Sequence, residues 1–223
     1  MKALVGAMIA AVLAFAIVVG LMLMGRNAGS AGPAEQSSEG GLPPEALAMM
    51  VIPPFSLVDQ NGAEVTREIF KGRMTLLAFS FTNCPTVCPI MHSHLVRLTH
   101  ETLKLAPVRI VTISVDPAHD TPQALRAYAE RLGVESPKWT MLTGDEAKIR
   151  EIVTSMRFAL QEEPGLPITL KDGSIMSNIV HPTKLVLVGP EATVIGLDSG
   201  LDWESAERIA MRARDLAVRM DLK

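Results

Sequence analysis

Phe81-Thr-Asn-Cys84-Pro-Thr-Val-Cys88-Pro89 decides how the rest of the chain is read. Just before it, Met74-Thr-Leu-Leu-Ala-Phe-Ser-Phe81 is a nearly continuous apolar run, the pattern of a strand buried on both faces of a sheet. Just after it, Met91, Leu95 and Leu98 recur at helical spacing, which predicts a helix from about Pro89. The two cysteines therefore fall at a strand-to-helix junction. Backbone N–H groups and the positive dipole end of a helix N-terminus stabilise anions there, and so favour thiolates. Three intervening residues put both sulfurs on one side of a first helical turn, since i and i+4 share a face. No other cysteine occurs in the 223 residues, so a disulfide framework closing long loops is excluded. What remains is a redox pair that can close into a disulfide, or a pair of soft metal ligands. The latter suits Cu(I), with Cu(II) or Zn(II) also admissible. Burial as two inert small side chains is the bland alternative, and a strand–helix junction favours thiol chemistry over it.

Working outward, Phe55-Ser-Leu-Val-Asp-Gln-Asn-Gly-Ala-Glu-Val-Thr66 reads as an N-terminal β-hairpin turning at Asn61-Gly62. Val108-Arg-Ile-Val-Thr-Ile-Ser-Val115 is a second central strand. Thr121-Pro122 caps and opens a helix that runs to Leu132, with Gly133 just past its end. Trp139–Leu142 is a short strand, followed by a helix from about Asp145 to Met156. Residues 161–180 read as irregular or hairpin-like, with turn signals at Pro164-Gly165 and Asp172-Gly173. Lys184–Val188 and Thr193–Leu197 are two further strands, and an amphipathic helix runs from about Trp203 to Met220. Strands alternating with helices predict an α/β layer fold, a central sheet flanked by helices.

The N-terminus reads differently. Ala3 to Met24 is an uncharged apolar run of 22 residues between Lys2 and Arg26. As a helix it would span about 33 Å, matching a hydrocarbon core of about 30 Å, whereas a cleaved signal peptide has a shorter apolar region. Residues 1–26 are thus expected to be a single transmembrane anchor, and 27–48, rich in Gly, Ser, Ala, Pro and Glu, a flexible linker. The globular domain is expected over 49–223. A tethered thiol pair makes sense in an oxidising compartment, which places that domain outside a bacterial inner membrane, in the periplasm. The net charge is only −3 and the basic residues are scattered, so no nucleic-acid footprint is present.

Two soft ligands leave a metal under-coordinated, and the five histidines are the first place to look for a third. His100, late in the first helix, reads as exposed. His92 lies four residues after Cys88 and could share its face as an auxiliary ligand, although an exposed helix histidine is the commoner outcome. His119 lies in a loop with no evident partner. His181 opens His181-Pro-Thr-Lys-Leu-Val-Leu-Val188, a proline immediately before a strand. That resembles the cis-proline element of the thioredoxin superfamily, in which the residue before the proline faces the cysteine pair. On this resemblance His181 faces the thiols, and its ring nitrogen can bind metal. Met91 and Met176 could add thioethers, but methionine is more often core filler.

Three segments together resemble the SCO/SenC (SCO1/SenC) family over about residues 50–220. They are Phe81-Thr-Asn-Cys84-Pro-Thr-Val-Cys88-Pro89, Ser114-Val-Asp116-Pro-Ala-His-Asp120-Thr121-Pro122, and the late His181 before a strand. The resemblance implies a thioredoxin-like fold with an N-terminal membrane anchor, and copper, Cu(I) or Cu(II), held by Cys84, Cys88 and His181. It also implies a metallochaperone role in cytochrome c oxidase assembly. Copper would be delivered to the Cu(A) site of oxidase subunit II or to another cuproprotein client, or the thiols of that site would be reduced. A monomer is expected. Where the family usually has Tyr, Asp and Ser, this chain has Phe81, Val180 and Pro182, so an acidic neighbour that could orient the histidine ring is missing. Asp116, at the end of a central strand, is a candidate neighbour of the site, whereas Asp120 reads as local capping before Pro122. A thiol–disulfide oxidoreductase without a metal role, with Cys84 and Cys88 catalytic, is the alternative. A peroxiredoxin-like peroxidase would need Pro and Thr where Leu77 and Phe81 stand.

Overall fold

Seven strands form one mixed sheet in the order β2-β1-β5-β4-β3-β8-β9 in the computed structural model, which describes residues 43–134 and 138–222. The strands are β1 (Ser56–Asp59), β2 (Glu64–Thr66), β3 (Met74–Ser80), β4 (Val108–Ser114), β5 (Trp139–Thr143), β8 (Lys184–Val188) and β9 (Val194–Ser199). The three central strands β3, β4 and β5 are parallel, and β1, β8 and β9 join antiparallel. The helices are α1 (Pro44–Ala48), α2 (Val87–His100), α3 (Pro122–Leu132), α4 (Glu146–Ser155) and α5 (Trp203–Arg219). The chain thus has the expected central mixed sheet flanked by helices, with the hairpin β1–β2 at its N-terminal side.

Every residue of β3 is buried, as the unbroken apolar run required. Alternate side chains enter two cores. Leu77 and Phe79 join Ile113, Leu142 and Ile152 on the α4 face, while Leu76 and Ala78 join Leu95, Leu125, Trp139 and Ala210 on the face covered by α2, α3 and α5. The helix boundaries follow local chemistry. The Thr121 hydroxyl accepts the Ala124 N–H at 3.2 Å and Pro122 takes the first helical position. Gly133 closes α3 at φ +67°, a backbone conformation that costs glycine little.

Residues 161–180 take the hairpin form of the sequence expectation, and only one of the two turn signals is used. They form a hairpin of two regular strands, β6 (Gln161–Thr169) and β7 (Ile175–Val180), turning at Asp172-Gly173, where Asp172 Oδ1 accepts the Ser174 N–H at 3.0 Å. Pro164-Gly165 makes no turn. It lies inside β6, where the register shifts between Glu163 and Ile168. A proline that cannot donate and a glycine with no side chain to pack are what an irregular ladder tolerates.

The folded body also begins earlier than the boundary at 49. α1 falls within the stretch read as linker because Leu47, Met50 and Ile52 supply buried apolar groups. The segment is stitched to the sheet by Ile52 N–H to Ala192 O at 3.1 Å and Val194 N–H to Met50 O at 2.9 Å. The anchor expected over 1–26, and the linker up to residue 42, lie outside the described residues. Among the described residues, no helix is long and apolar enough to cross a membrane.

Candidate metal centre

Cys84 lies in the loop after β3, and Cys88 lies in the first turn of α2. The helix begins at Val87, two residues before the expected Pro89, so Cys88 already belongs to its first turn. Pro89 is tolerated there because first-turn N–H groups have no intrahelical acceptor. The Cys88 N–H instead points at Cys84 Sγ, 3.4 Å away. Cys84 itself is held in a turn by its N–H to Phe81 O, at 3.2 Å.

His181 arrives from the far end of the sequence, between the hairpin strand β7 and the central strand β8. Its Nε2 lies 3.3 Å from Cys88 Sγ and 4.0 Å from Cys84 Sγ. The three donor atoms lie within 4.8 Å of one another, and all three residues are buried. An ion with bonds of about 2.0–2.3 Å in trigonal coordination would separate its ligands by roughly 3.5–4 Å. The two nitrogen–sulfur separations bracket that range, and two sulfurs with one imidazole make a soft donor set.

The orientation of the ring follows from a neighbour the sequence did not suggest. His181 Nδ1 lies 3.1 Å from Pro182 O. A carbonyl only accepts, so Nδ1 carries the proton and Nε2 turns its lone pair toward the sulfurs. The orienting task that an acidic residue at position 180 could have performed therefore falls to this carbonyl, while Val180 is about half exposed. Phe81 packs edge-on against the imidazole, with centroids 5.6 Å apart and planes at 83°.

In the reduced pair the two sulfurs divide one proton. A hydrogen bond from the Cys88 thiol, with further help from the N–H groups of Cys88 and Thr86, lowers Cys84 to about 3 against the opposing effect of burial. The same hydrogen bond, together with burial and the Cys84 charge, pushes Cys88 far up. Cys84 is thus a thiolate and Cys88 a thiol. Cys84 is also the more accessible of the two, 8% exposed against 0% for Cys88.

The remaining candidates sort as follows. His92 is not exposed but 2% exposed, on the same face of α2 as Cys88. Its Nδ1 is 2.7 Å from the Tyr128 hydroxyl and its ring packs on Trp139. Its position on the stripe with Cys88 and Leu95 was the available signal. It does not join the three-donor group, and burial lowers it to about 4. Met91 lies in the core on the opposite face of the sheet from the cysteine-containing core, and Met176 packs against the latter. His100 is exposed as expected. His119 has a partner after all, Asp116, at 2.9 Å. Asp120 is not the cap expected before Pro122, a task that Thr121 performs. It is fully buried and accepts from Thr82 in the site loop and from Ser114 at the end of β4. Nothing in its sequence neighbourhood distinguished that role from capping, since Thr82 is 38 residues away.

Comparison with known proteins agrees with this geometry. The SCO1/SenC family model matches residues 44–217. The SCO1 protein homolog of Bacillus subtilis (strain 168) is 32% identical over 154 residues, covering 68% of this chain and 75% of the relative. The crystal structure of Arabidopsis thaliana ScoI with copper bound superposes with a TM-score of 0.61 at 26% identity, covering 74% of this chain and 99% of that one. BsSco, described as a member of the Sco family of cytochrome c oxidase assembly proteins with a disulfide switch, gives a TM-score of 0.58 at 28% identity, over 75% of this chain and 95% of that one.

Proposed function

The chain belongs to the SCO1/SenC family, and from that premise we propose that it binds copper through Cys84, Cys88 and His181 and serves the assembly of cytochrome c oxidase. The observation that carries the reading is the convergence of two cysteine sulfurs and His181 Nε2 on one point. Copper is cargo here. The sulfur donors hold it, and an acceptor's thiolates can take it over by ligand exchange without turnover chemistry. The acceptor is the Cu(A) site of oxidase subunit II or another cuproprotein client, a reading supported by the copper-bound and oxidase-assembly relatives. One chain supplies all three donors, so a monomer suffices.

The finer setting belongs to the same proposal. The apolar run of residues 3–24 supports a single-pass anchor over 1–26 in a bacterial inner membrane, with the domain in the periplasm beyond a tether. That compartment matters because the pair is competent for metal only when reduced.

A second activity has its own support, the division of one proton between the sulfurs. The Cys84 thiolate can attack a client disulfide to form a mixed disulfide. Cys88, on losing its proton, then attacks Cys84 Sγ, releases the client dithiol and leaves the pair oxidised. The client gains the two electrons that the pair gives up.

Titrating copper into the reduced chain, His181→Ala and Cys84→Ser separates the readings. The expected result is one copper per chain, with affinity at least 100-fold weaker in His181→Ala. If His181→Ala binds copper as tightly as the parent while still reducing a test disulfide, the oxidoreductase reading replaces the copper one.

A further inference from the structure

Asp120 is a buried carboxylate that neither ligand exchange nor disulfide exchange uses directly. It is 0% exposed, and its carboxylate accepts from Thr82 and Ser114. The Thr82 N–H reaches Oδ2 at 3.0 Å and the Thr82 hydroxyl reaches Oδ1 at 2.5 Å. The Ser114 hydroxyl reaches Oδ2 at 2.5 Å, and its oxygen accepts the Asp116 N–H at 3.1 Å, which leaves its proton for Asp120. Burial pushes this carboxyl up, and the Ser114 and Thr82 donors oppose that push by favouring the acceptor-only anion. Thr82 stands between Phe81, whose ring braces His181, and the turn that carries Cys84. Ser114 ends the central strand β4. Asp120 therefore links the rigid sheet to the loop holding one sulfur and to the brace of the nitrogen ligand.

We propose that Asp120 is a positioning residue for the Cys84–Cys88–His181 centre, and that its fixed negative charge biases the centre toward its electron-poor state. This rests on the reading of the cysteines as a redox-competent, metal-competent pair. The direction follows from counting charge. The disulfide form of the pair is neutral. Taking up two electrons and one proton converts it to one thiolate and one thiol, with a net charge of −1. With copper held by two thiolates and a neutral imidazole, Cu(II) gives a neutral centre and Cu(I) gives −1. In both couples the reduced state is more negative by one unit, and a nearby buried anion repels it. Asp120 is among the groups whose charge pushes the Cys88 thiol up, which places its field at the sulfurs. The neighbouring Asp116 faces His119, and Asp120 has no cation among its hydrogen-bond partners.

The test is the midpoint potential of the metal-free pair at pH 8. The full chain is equilibrated with thiol–disulfide buffers, and free thiols are trapped by alkylation and counted by mass. Asp120→Asn keeps the shape and removes the charge. It is expected to favour the reduced form at least tenfold, which is about 30 mV for two electrons. Thr82→Val and Ser114→Ala loosen the same clamp but keep the charge with fewer donors around it, so their potentials should fall. A merely structural clamp predicts one direction of shift for all three variants. An unchanged or lowered potential in Asp120→Asn overturns the proposal, as does a rise in Thr82→Val and Ser114→Ala. If Asp120→Asn does not fold, the other two variants decide alone: lowered potentials support the proposal, and unchanged or raised ones overturn it. A parent chain that cycles between dithiol and disulfide but binds no copper would defeat the copper reading and leave this one intact.

Discussion

Replacing Cys84 by serine should flatten a pH dependence of stability that the reduced chain otherwise carries. In the folded protein Cys84 ionises at about 3, held there first by the Cys88 thiol, whereas an unfolded thiol ionises near about 8.5. The folded value is depressed, so the stabilisation is fully present above the unfolded value and is lost as pH falls toward the folded one. Between pH 5 and 8 the unfolded chain binds one more proton at this site than the native chain does. One proton sets a slope of at most about 1.4 kcal/mol per pH unit, or about 4 kcal/mol across that window. Cys88 has a raised folded value, so its contribution is present below the unfolded value and is lost only at higher pH. It leaves the window nearly flat. Asp120 remains in both proteins, and losing the Cys84 charge only lowers His92 further below the window, so neither adds much to the difference. The assay is urea unfolding of the reduced parent and Cys84→Ser, followed by the fluorescence of Trp139 and Trp203, at four pH values. A difference between the two proteins that stays constant within about 0.5 kcal/mol from pH 5 to 8 would refute the thiolate assignment. Cys88→Ala gives a corollary. It removes a charge-assisted hydrogen bond, worth roughly 1.5–3 kcal/mol, and should raise Cys84 by about one to two pH units in an alkylation-rate profile.

His92→Phe should reduce acid sensitivity. A buried histidine lowered to about 4 stabilises the fold fully above an unfolded value near about 6.5, and that contribution disappears as pH falls through the window between them. Unfolding midpoints at pH 4.5 and 7 should therefore lie closer together in the variant, and equal spacing would contradict this. Phe79→Ala opens a cavity in the α4-side core, where Phe79 is fully buried and edge-on to Phe158 at 6.5 Å, and should cost about 3–5 kcal/mol by denaturant unfolding. Thr121→Ala removes the cap that accepts the Ala124 N–H and should cost about 1 kcal/mol in the same assay, with copper stoichiometry unchanged.

Short-range chemistry accounts for most of what was legible before the structure. The apolar run of β3, the Asn61-Gly62 hairpin and the Thr121-Pro122 to Gly133 helix frame are each decided within a dozen residues, and each is found in place. The hairpin over 161–180 was harder to read because Pro164-Gly165 carries the chemistry of a turn, yet the ladder absorbs it as an irregularity. His92 was misjudged for a related reason. A histidine on a helix is usually solvated, and only the approach of α3 and β5 supplies Tyr128 and Trp139 to cover it.

The same division runs through the site. From the sequence alone, Cys84 and Cys88 stand as a reactive pair at a strand–helix junction, because four residues of chain and a helix dipole are local facts. Resemblance pointed to His181, but nothing local could bring a ring 93 residues away to 3.3 Å from Cys88 Sγ. Strand order does that, by laying β8 antiparallel against β3 so that the start of one lies beyond the end of the other. Tertiary structure alone also decided that Pro182 O orients the ring, that Cys84 rather than Cys88 holds the negative charge, and that Asp120 ties Thr82 to Ser114. Each of these depends on distances across separate elements. Hydrogen bonds and desolvation act over a few ångströms of space, and sequence separation carries no information about that distance until the sheet has formed.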